Sequence, residues 1–299
     1  MTRPTRESRA GRAYLDLQNR ARREGRGTQE LLILYVVERW LARLGRSPYV
    51  NDFVLKGGML LAAFGRRRPT ADADALARNL DADQFAVASR VAEIAALPDS
   101  SDGVEFLANT VSSSVIRDDA LYSGVRVTMD ARIATAAVKF RLDVNFGDPV
   151  TPEPQLVELP ALRPNTDPIW ILGYPVETVV AEKLTTAISL GPASTRVRDY
   201  ADLYTLAGTY PLLHSSTQAA LLATVAFRGV ALRPLSEVVG NIVELRSATY
   251  SAYRRGLGRD GDHLPTYFGA VVDAVSAFAD PLVRDDRRVW DPARWRWTT

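Results

Sequence analysis

Between Leu55 and Asp74 the chain carries two groups of residues that can do chemistry together. Gly57 and Gly58 follow the apolar run Phe53, Val54, Leu55. They let the backbone turn sharply and approach a ligand closely, because they lack a Cβ. Asp72 and Asp74 follow at i and i+2, a spacing that puts both carboxylates on one face of a strand. Two carboxylates with substrate phosphates are the usual surroundings of Mg²⁺, which prefers hard oxygen ligands and keeps several waters. The chemistry implied is transfer of a nucleotide from a nucleoside triphosphate. A solvated acidic turn is the plainer reading of an isolated Asp-x-Asp.

The elements that must position these groups follow from periodicity. Phe53 to Leu55 reads as a buried strand and Met59 to Phe64 as an apolar helix, ended by Gly65 and blocked from continuing by Pro69. A helix opening after a glycine turn directs unpaired N–H groups at phosphate oxygens. Val138, Phe140, Leu142, Val144 and Phe146 alternate with Lys139, Arg141, Asp143 and Asn145. This is a strand with one packed and one polar face. Asp143 sits mid-strand on the polar face and is the candidate third metal-binding acid; an ion-pair ladder is the alternative. Asp148, between Gly147 and Pro149, reads as a turn residue.

Among all the basic residues only Lys56, Lys139 and Lys183 are lysine. A compact ammonium suits a triphosphate as a point charge. Lys183 lies at the edge of a helical stripe of Val176, Val180, Leu184 and Ala187, which Pro175 can open. The next helix, Arg196 to Leu206, carries Asp199 and Asp202 on one face. Asp202 can orient Lys183 or serve as a general base. Arg196 and Arg198 can hold phosphates or pair with those acids. Only two histidines occur, His214 and His263, outside every motif. This argues against histidine catalysis and a histidine-based zinc site.

Five motifs occur in order: Leu55-Lys56-Gly57-Gly58; Arg68-Pro69-Thr70-x-Asp72-x-Asp74; Leu142-Asp143-Val144-x-Phe146-Gly147-Asp148; Tyr174 to Leu184 with Glu177, Ala181, Glu182 and Lys183; and Arg196-x-Arg198-Asp199-x-x-Asp202-Leu203. This succession resembles the AbiEii/MenT toxins of type IV and related toxin–antitoxin pairs, within the DNA polymerase β-type nucleotidyltransferase superfamily. The resemblance implies an α+β fold: a polymerase β-like nucleotidyltransferase core with a mixed sheet, plus a C-terminal helical domain. It implies that Asp72 and Asp74 hold the metal, that Lys183 contacts the triphosphate and that Asp202 is needed for activity. It further implies one or two Mg²⁺ ions, an NTP substrate, a tRNA 3′ end as acceptor and a cognate antitoxin. Lys56, Gly57, Gly58, Arg68, Thr70, Lys183, Arg196 and Arg198 form the expected nucleotide-binding set. Asp72, Asp74, Asp143, Lys183 and Asp202 form the catalytic set. Met59 and Ala73 replace the small hydroxyl and large apolar residues frequent in the family, and Arg198 stands where lysine is common.

A nucleotidyl transfer to a protein or small-molecule hydroxyl would use the same residues. A non-catalytic RNA- or antitoxin-binding module is the reading from a different class.

The 299 residues and 46% hydrophobic content suffice for two modest domains, expected at 1–165 and 166–299. A net charge of +2 does not by itself demand nucleic acid. Eight arginines crowd the first 26 residues against three acids, as an RNA-binding arm or a solvated terminus. Arg66, Arg67 and Arg68 flank the proposed site. Trp290, Trp295 and Trp297 either stack on bases or pin the tail to the body. No membrane span or signal segment is apparent, so the cytoplasm is expected. Further expectations are helices at 28–44 capped by Thr28, at 81–96 with an Asp81/Gln84 capping box, and at 216–227, 235–254 and 266–279. Strands are expected within 104–146, and a proline-rich connector or irregular edge at 149–168.

Overall fold

The structure is a computed structural model that describes residues 4–65, 70, 72–118, 122–284 and 288–298. Arg3, Arg66, Arg67 and Arg68 lie outside the described residues. The chain forms two compact units, Met1–Gly147 with Gln155–Gly173, and Asp148–Pro154 with Tyr174–Thr299.

In the first unit, apolar alternation builds a seven-stranded mixed sheet. Its strands are β1 (Phe53–Lys56), β2 (Ala73–Ala77), β3 (Val104–Asp118), β4 (Tyr122–Ile133), β5 (Ala136–Phe146), β6 (Gln155–Leu159) and β7 (Ile169–Gly173), in the order β3-β4-β5-β2-β1-β7-β6. β1 runs antiparallel to β2 and parallel to β7, while β2 runs parallel to β5. β1 is buried along its whole length, as its central place requires. Helices α1 (Arg9–Glu24), α2 (Thr28–Gly45), α3 (Gly57–Leu60) and α4 (Gln84–Ala95) complete the unit. α2 packs on β5 and β7, and α4 on β3 and β4. Trp40 of α2 meets Phe53 and Phe140 at ring distances of 5.8 and 5.5 Å.

α2 is buried almost all round, including three charged residues that solvent does not reach. Each is compensated, as burial of charge demands. Arg43 reaches Asp102 at 2.6 Å and the Leu97 carbonyl at 3.0 Å. Arg39 reaches Glu38 at 2.6 Å, and Glu38 accepts the Leu162 N–H at 2.8 Å.

The second unit is mostly helical: α5 (Val176–Leu190), α6 (Val197–Ala207), α7 (His214–Arg228), α8 (Leu235–Val238), α9 (Ile242–Gly256) and α10 (Phe268–Ala279). A small sheet orders β10 (Arg296–Thr298), β9 (Val289–Asp291) and β8 (Leu212–Leu213). Trp290 is fully buried and donates its indole N–H to the Ala207 carbonyl at 2.6 Å. Trp297 stacks on Phe278 at 5.6 Å. Trp290 and Trp297 therefore pin the tail to this unit's core.

Local structure departs from expectation in five places. The helix after the glycine pair is a single turn; beyond Leu60 the chain continues in tighter i→i−3 bonds to Gly65. Gly27, not Thr28, is the N-cap residue of α2. Asp83, not Asp81, caps α4, accepting the N–H groups of Phe85 and Ala86 at 3.0 and 2.7 Å. The expected helix at 235–254 breaks at Gly240, whose positive φ of 49° interrupts it. The arginine-rich N-terminal segment is a capped helix, with Arg20–Glu24 and Arg26–Glu30 pairs at 2.6 and 2.5 Å.

Candidate active site

Strand register brings two of the three sequence-predicted metal acids, Asp74 and Asp143, into one row, while Asp72 lies outside it. Lys56 of β1 pairs with Asp74 of β2, Asp74 with Asp143 of β5, and Asp143 with Arg126 of β4. The apolar residues that flank this row on β5 and β4, Leu142, Val144, Val125 and Val127, are all buried. Alternation therefore puts the row on the sheet face opposite α2. Adjacent strands lie about 4.8 Å apart, so Asp74 and Asp143 are immediate neighbours in the sheet.

Each acid has its own anchor. The Asp74 carboxylate lies directly over Gly57, where any Cβ would overlap it. Gly57 also has a φ of +66°, which L side chains rarely adopt. The Gly57 position thus needs glycine twice over, once for its turn and once for the carboxylate. Asp72 stands one residue before β2 and accepts the Thr70 hydroxyl at 3.1 Å. Thr70 hence acts on Asp72 itself. Asp143 is gripped bidentately by Arg126, at 2.8 Å from Nε and 2.6 Å from Nη2.

Asp74 and Asp143 supply the hard oxygen donors a divalent cation takes, and Mg²⁺ needs only one or two carboxylates beside substrate phosphates. The residues present fit such an ion. Among the described residues no three acidic or histidine side chains are gathered into a ligand set. Sequence reading missed Arg126; the signal was the strand segment 124–129, but its register against β5 was needed to find the pair.

In the second unit Lys183 of α5 donates to Asp199 at 2.7 Å and to Asp202 at 2.8 Å, both on α6. The three side chains are only 13%, 13% and 7% exposed. The i, i+3 spacing of the acids makes this shared grip possible. Asp202 thus shares the Lys183 ammonium with Asp199. Tyr200 lies on the same helix, its phenol buried and without a hydrogen-bond partner. Burial first, then the charge of Asp199, keeps that phenol protonated well above the usual range. Arg196 and Arg198 are exposed at the start of α6, and Arg198 lies within the first helical turn.

The other sequence candidates fall away from this chemistry. Lys139 forms an exposed pair with Asp130 at 2.6 Å. His214 bonds the Pro281 carbonyl and His263 bonds Thr205, at 3.0 and 2.9 Å. Asp148 is buried and accepts the Tyr174 hydroxyl at 3.5 Å.

A mixed sheet with a carboxylate row at a glycine turn is an arrangement suited to nucleotidyl transfer. The chain belongs to the family described as "Nucleotidyl transferase AbiEii toxin, Type IV TA system", which matches residues 39–279. Membership places it with toxin nucleotidyltransferases of toxin–antitoxin systems, which use an NTP, generally a divalent metal, and have an antitoxin partner. Two solved structures resemble it. The crystal structure of JHP933 from Helicobacter pylori is 15% identical with a TM-score of 0.44, matched over 81% of this chain and 89% of that one. A structure described as a candidate nucleotidyltransferase from H. pylori is 14% identical with a TM-score of 0.44, over 84% and 92%. No curated protein matches the chain. Among the described residues no helix is long and apolar enough to cross a membrane.

Proposed function

We propose that this toxin transfers a nucleoside monophosphate from an NTP to the 3′-hydroxyl of the tRNA acceptor end, so that the tRNA can no longer be aminoacylated. The observation that carries the transferase half is the Lys56–Asp74–Asp143 row beside Gly57. The tRNA half rests on the motif resemblance. The acceptor hydroxyl gives up its proton to solvent as its oxygen bonds the α-phosphorus, the bond from that phosphorus to the bridging oxygen breaks, and pyrophosphate leaves with the electron pair. A divalent ion, Mg²⁺ in this reading, supplies charge neutralisation on the phosphate oxygens when bound. Asp74 and Asp143, register neighbours in the sheet, would hold it, with Asp72 as the third acid that the motif resemblance implies.

The protein's own residues do the positioning, which is most of what phosphoryl transfer requires. Gly57 keeps the backbone clear of the Asp74 carboxylate. Thr70 fixes Asp72. Lys56 brings a positive charge beside Asp74. The motif resemblance gives triphosphate contact to Lys183, whose ammonium Asp199 and Asp202 hold, and phosphate contact to Arg196 and Arg198. No protein nucleophile is needed. The cytoplasm, where tRNA and NTP are found, is the proposed compartment.

The test is incubation of the purified chain with Mg²⁺, each labelled NTP and total tRNA. Label is expected on tRNA with at least one NTP and is expected to vanish in Asp72→Ala. Label on protein alone would move the acceptor to a side-chain hydroxyl. No transfer by folded protein with any NTP would count against the enzyme.

A further inference from the structure

We propose that Arg126 holds Asp143 away from metal until a nucleotide's phosphates draw the guanidinium off, so that cation capture by Asp143 depends on nucleotide. The inference rests on the transferase reading above and adds a positioning residue to it.

The geometry carries the argument. Asp74 and Asp143 are register partners on parallel strands, so two like charges sit side by side. Such neighbours repel unless a cation stands between or beside them. Arg126 supplies that cation now, occupying both Asp143 oxygens at 2.8 and 2.6 Å. An oxygen that accepts a guanidinium N–H in this fork cannot present the same lone pair to a metal. The two partners are unequal in exposure: the Asp143 side chain is 11% exposed and the Arg126 side chain 37%. The carboxylate is therefore fixed, and the guanidinium is the partner able to leave. Its planar fork of donors matches phosphate as well as carboxylate, so a triphosphate offers it an equivalent bond. Exchange of one charge-assisted pair for another costs little, whereas removal of Arg126 without replacement would strand Asp143 almost out of water. Arg126 thereby neutralises the acid row at rest and phosphate in the loaded state.

The probes are Mn²⁺ alone, read by electron spin resonance of the free ion, and inorganic tripolyphosphate in EDTA, read by calorimetry. Arg126→Gln is expected to bind Mn²⁺ at least about tenfold more tightly than wild type, the equivalent of one charge-assisted hydrogen bond. The same substitution in an Asp143→Asn background is expected to give no gain, which separates release of Asp143 from mere loss of positive charge. Tripolyphosphate is expected to bind Asp143→Asn, in which the guanidinium is released from its carboxylate, several-fold more tightly than wild type, and to lose that gain in the double variant. If Arg126→Gln does not fold, Arg126→Lys keeps the charge without the bidentate fork and is expected to show a smaller gain for Mn²⁺. Unchanged Mn²⁺ affinity in the folded variant, an equal gain with Asn at 143, or unchanged tripolyphosphate binding would overturn the proposal. None of these readouts needs turnover. Label transfer without the Mn²⁺ gain sinks the exchange alone; the gain without any label transfer sinks the transferase reading alone.

Discussion

Gly57 is the residue on which the acid row is most sensitive. Gly57→Ala forces an L side chain into a left-handed conformation, costing about 1–2 kcal/mol. It also drives a methyl group into the Asp74 carboxylate. Thermal unfolding should show the lost stability, and nucleotidyl transfer should fall far more than that loss explains. Lys183 behaves differently, because it neutralises two nearly buried acids. Lys183→Met removes the ammonium that both acids share and should cost about 3 kcal/mol in urea unfolding. Asp202→Asn should cost clearly less, since Asp199 still holds the lysine. Equal losses in the two variants would mean that the lysine is not shared. Asp99 gives a pH-dependent case. Burial pulls its carboxyl up, but hydrogen bonds from Ser101 and Arg46 outweigh burial and lower it to about 2. A carboxyl lowered on folding stabilises above its unfolded pKa of about 3.9 and loses that contribution as pH falls toward 2. Asp99→Asn should therefore cost up to about 1 kcal/mol at pH 7, since Arg46 is largely exposed. Urea unfolding should show the gap narrowing below pH 4.

Elements differ in how openly the sequence declares them. β5 was legible because its alternation is strict: Val138, Phe140, Leu142 and Val144 are buried as the pattern requires, while Asp143 on the polar face is buried as well and Phe146 is only half-buried. α5 and α6 were legible from apolar spacing, within a residue or two of their observed ends. Asp72, Asp74 and Asp143 could be singled out by type and spacing, but their anchors could not. Arg126 faces Asp143 only through the register of two long antiparallel strands, a pairing set by tertiary structure. The single turn of α3 was hidden for a similar reason. Met59 to Phe64 is apolar enough for a helix, yet those residues are wanted as buried packing rather than as helical turns. Caps were the least readable, since Asp81 and Asp83 both offer a capping oxygen and only the backbone path decides between them. The observed cap is directly testable. Asp83→Ala should cost about 1 kcal/mol, whereas Asp81→Ala should leave thermal unfolding nearly unchanged.

At the scale of the molecule, the chain passes from the first compact unit at Gly147, returns at Gln155 and leaves again at Tyr174. Composition marks this stretch only as proline-rich, yet it contains β6, the edge strand of the sheet, and β7, which pairs with β1. Such weaving is invisible to local patterns because the pairing of β7 with β1 spans more than a hundred residues of chain. The family match runs through both units, from residue 39 to residue 279. A net charge of only +2 makes tRNA recognition, as proposed, a matter of local groups rather than bulk attraction. The most direct measurement is sequencing of tRNA 3′ ends after brief expression of this chain and of its Asp74→Asn variant. Added nucleotides at the acceptor end with the native chain, absent with the folded variant, are the result predicted. Unaltered tRNA ends in arrested cells, or identical additions with both chains, would contradict the account.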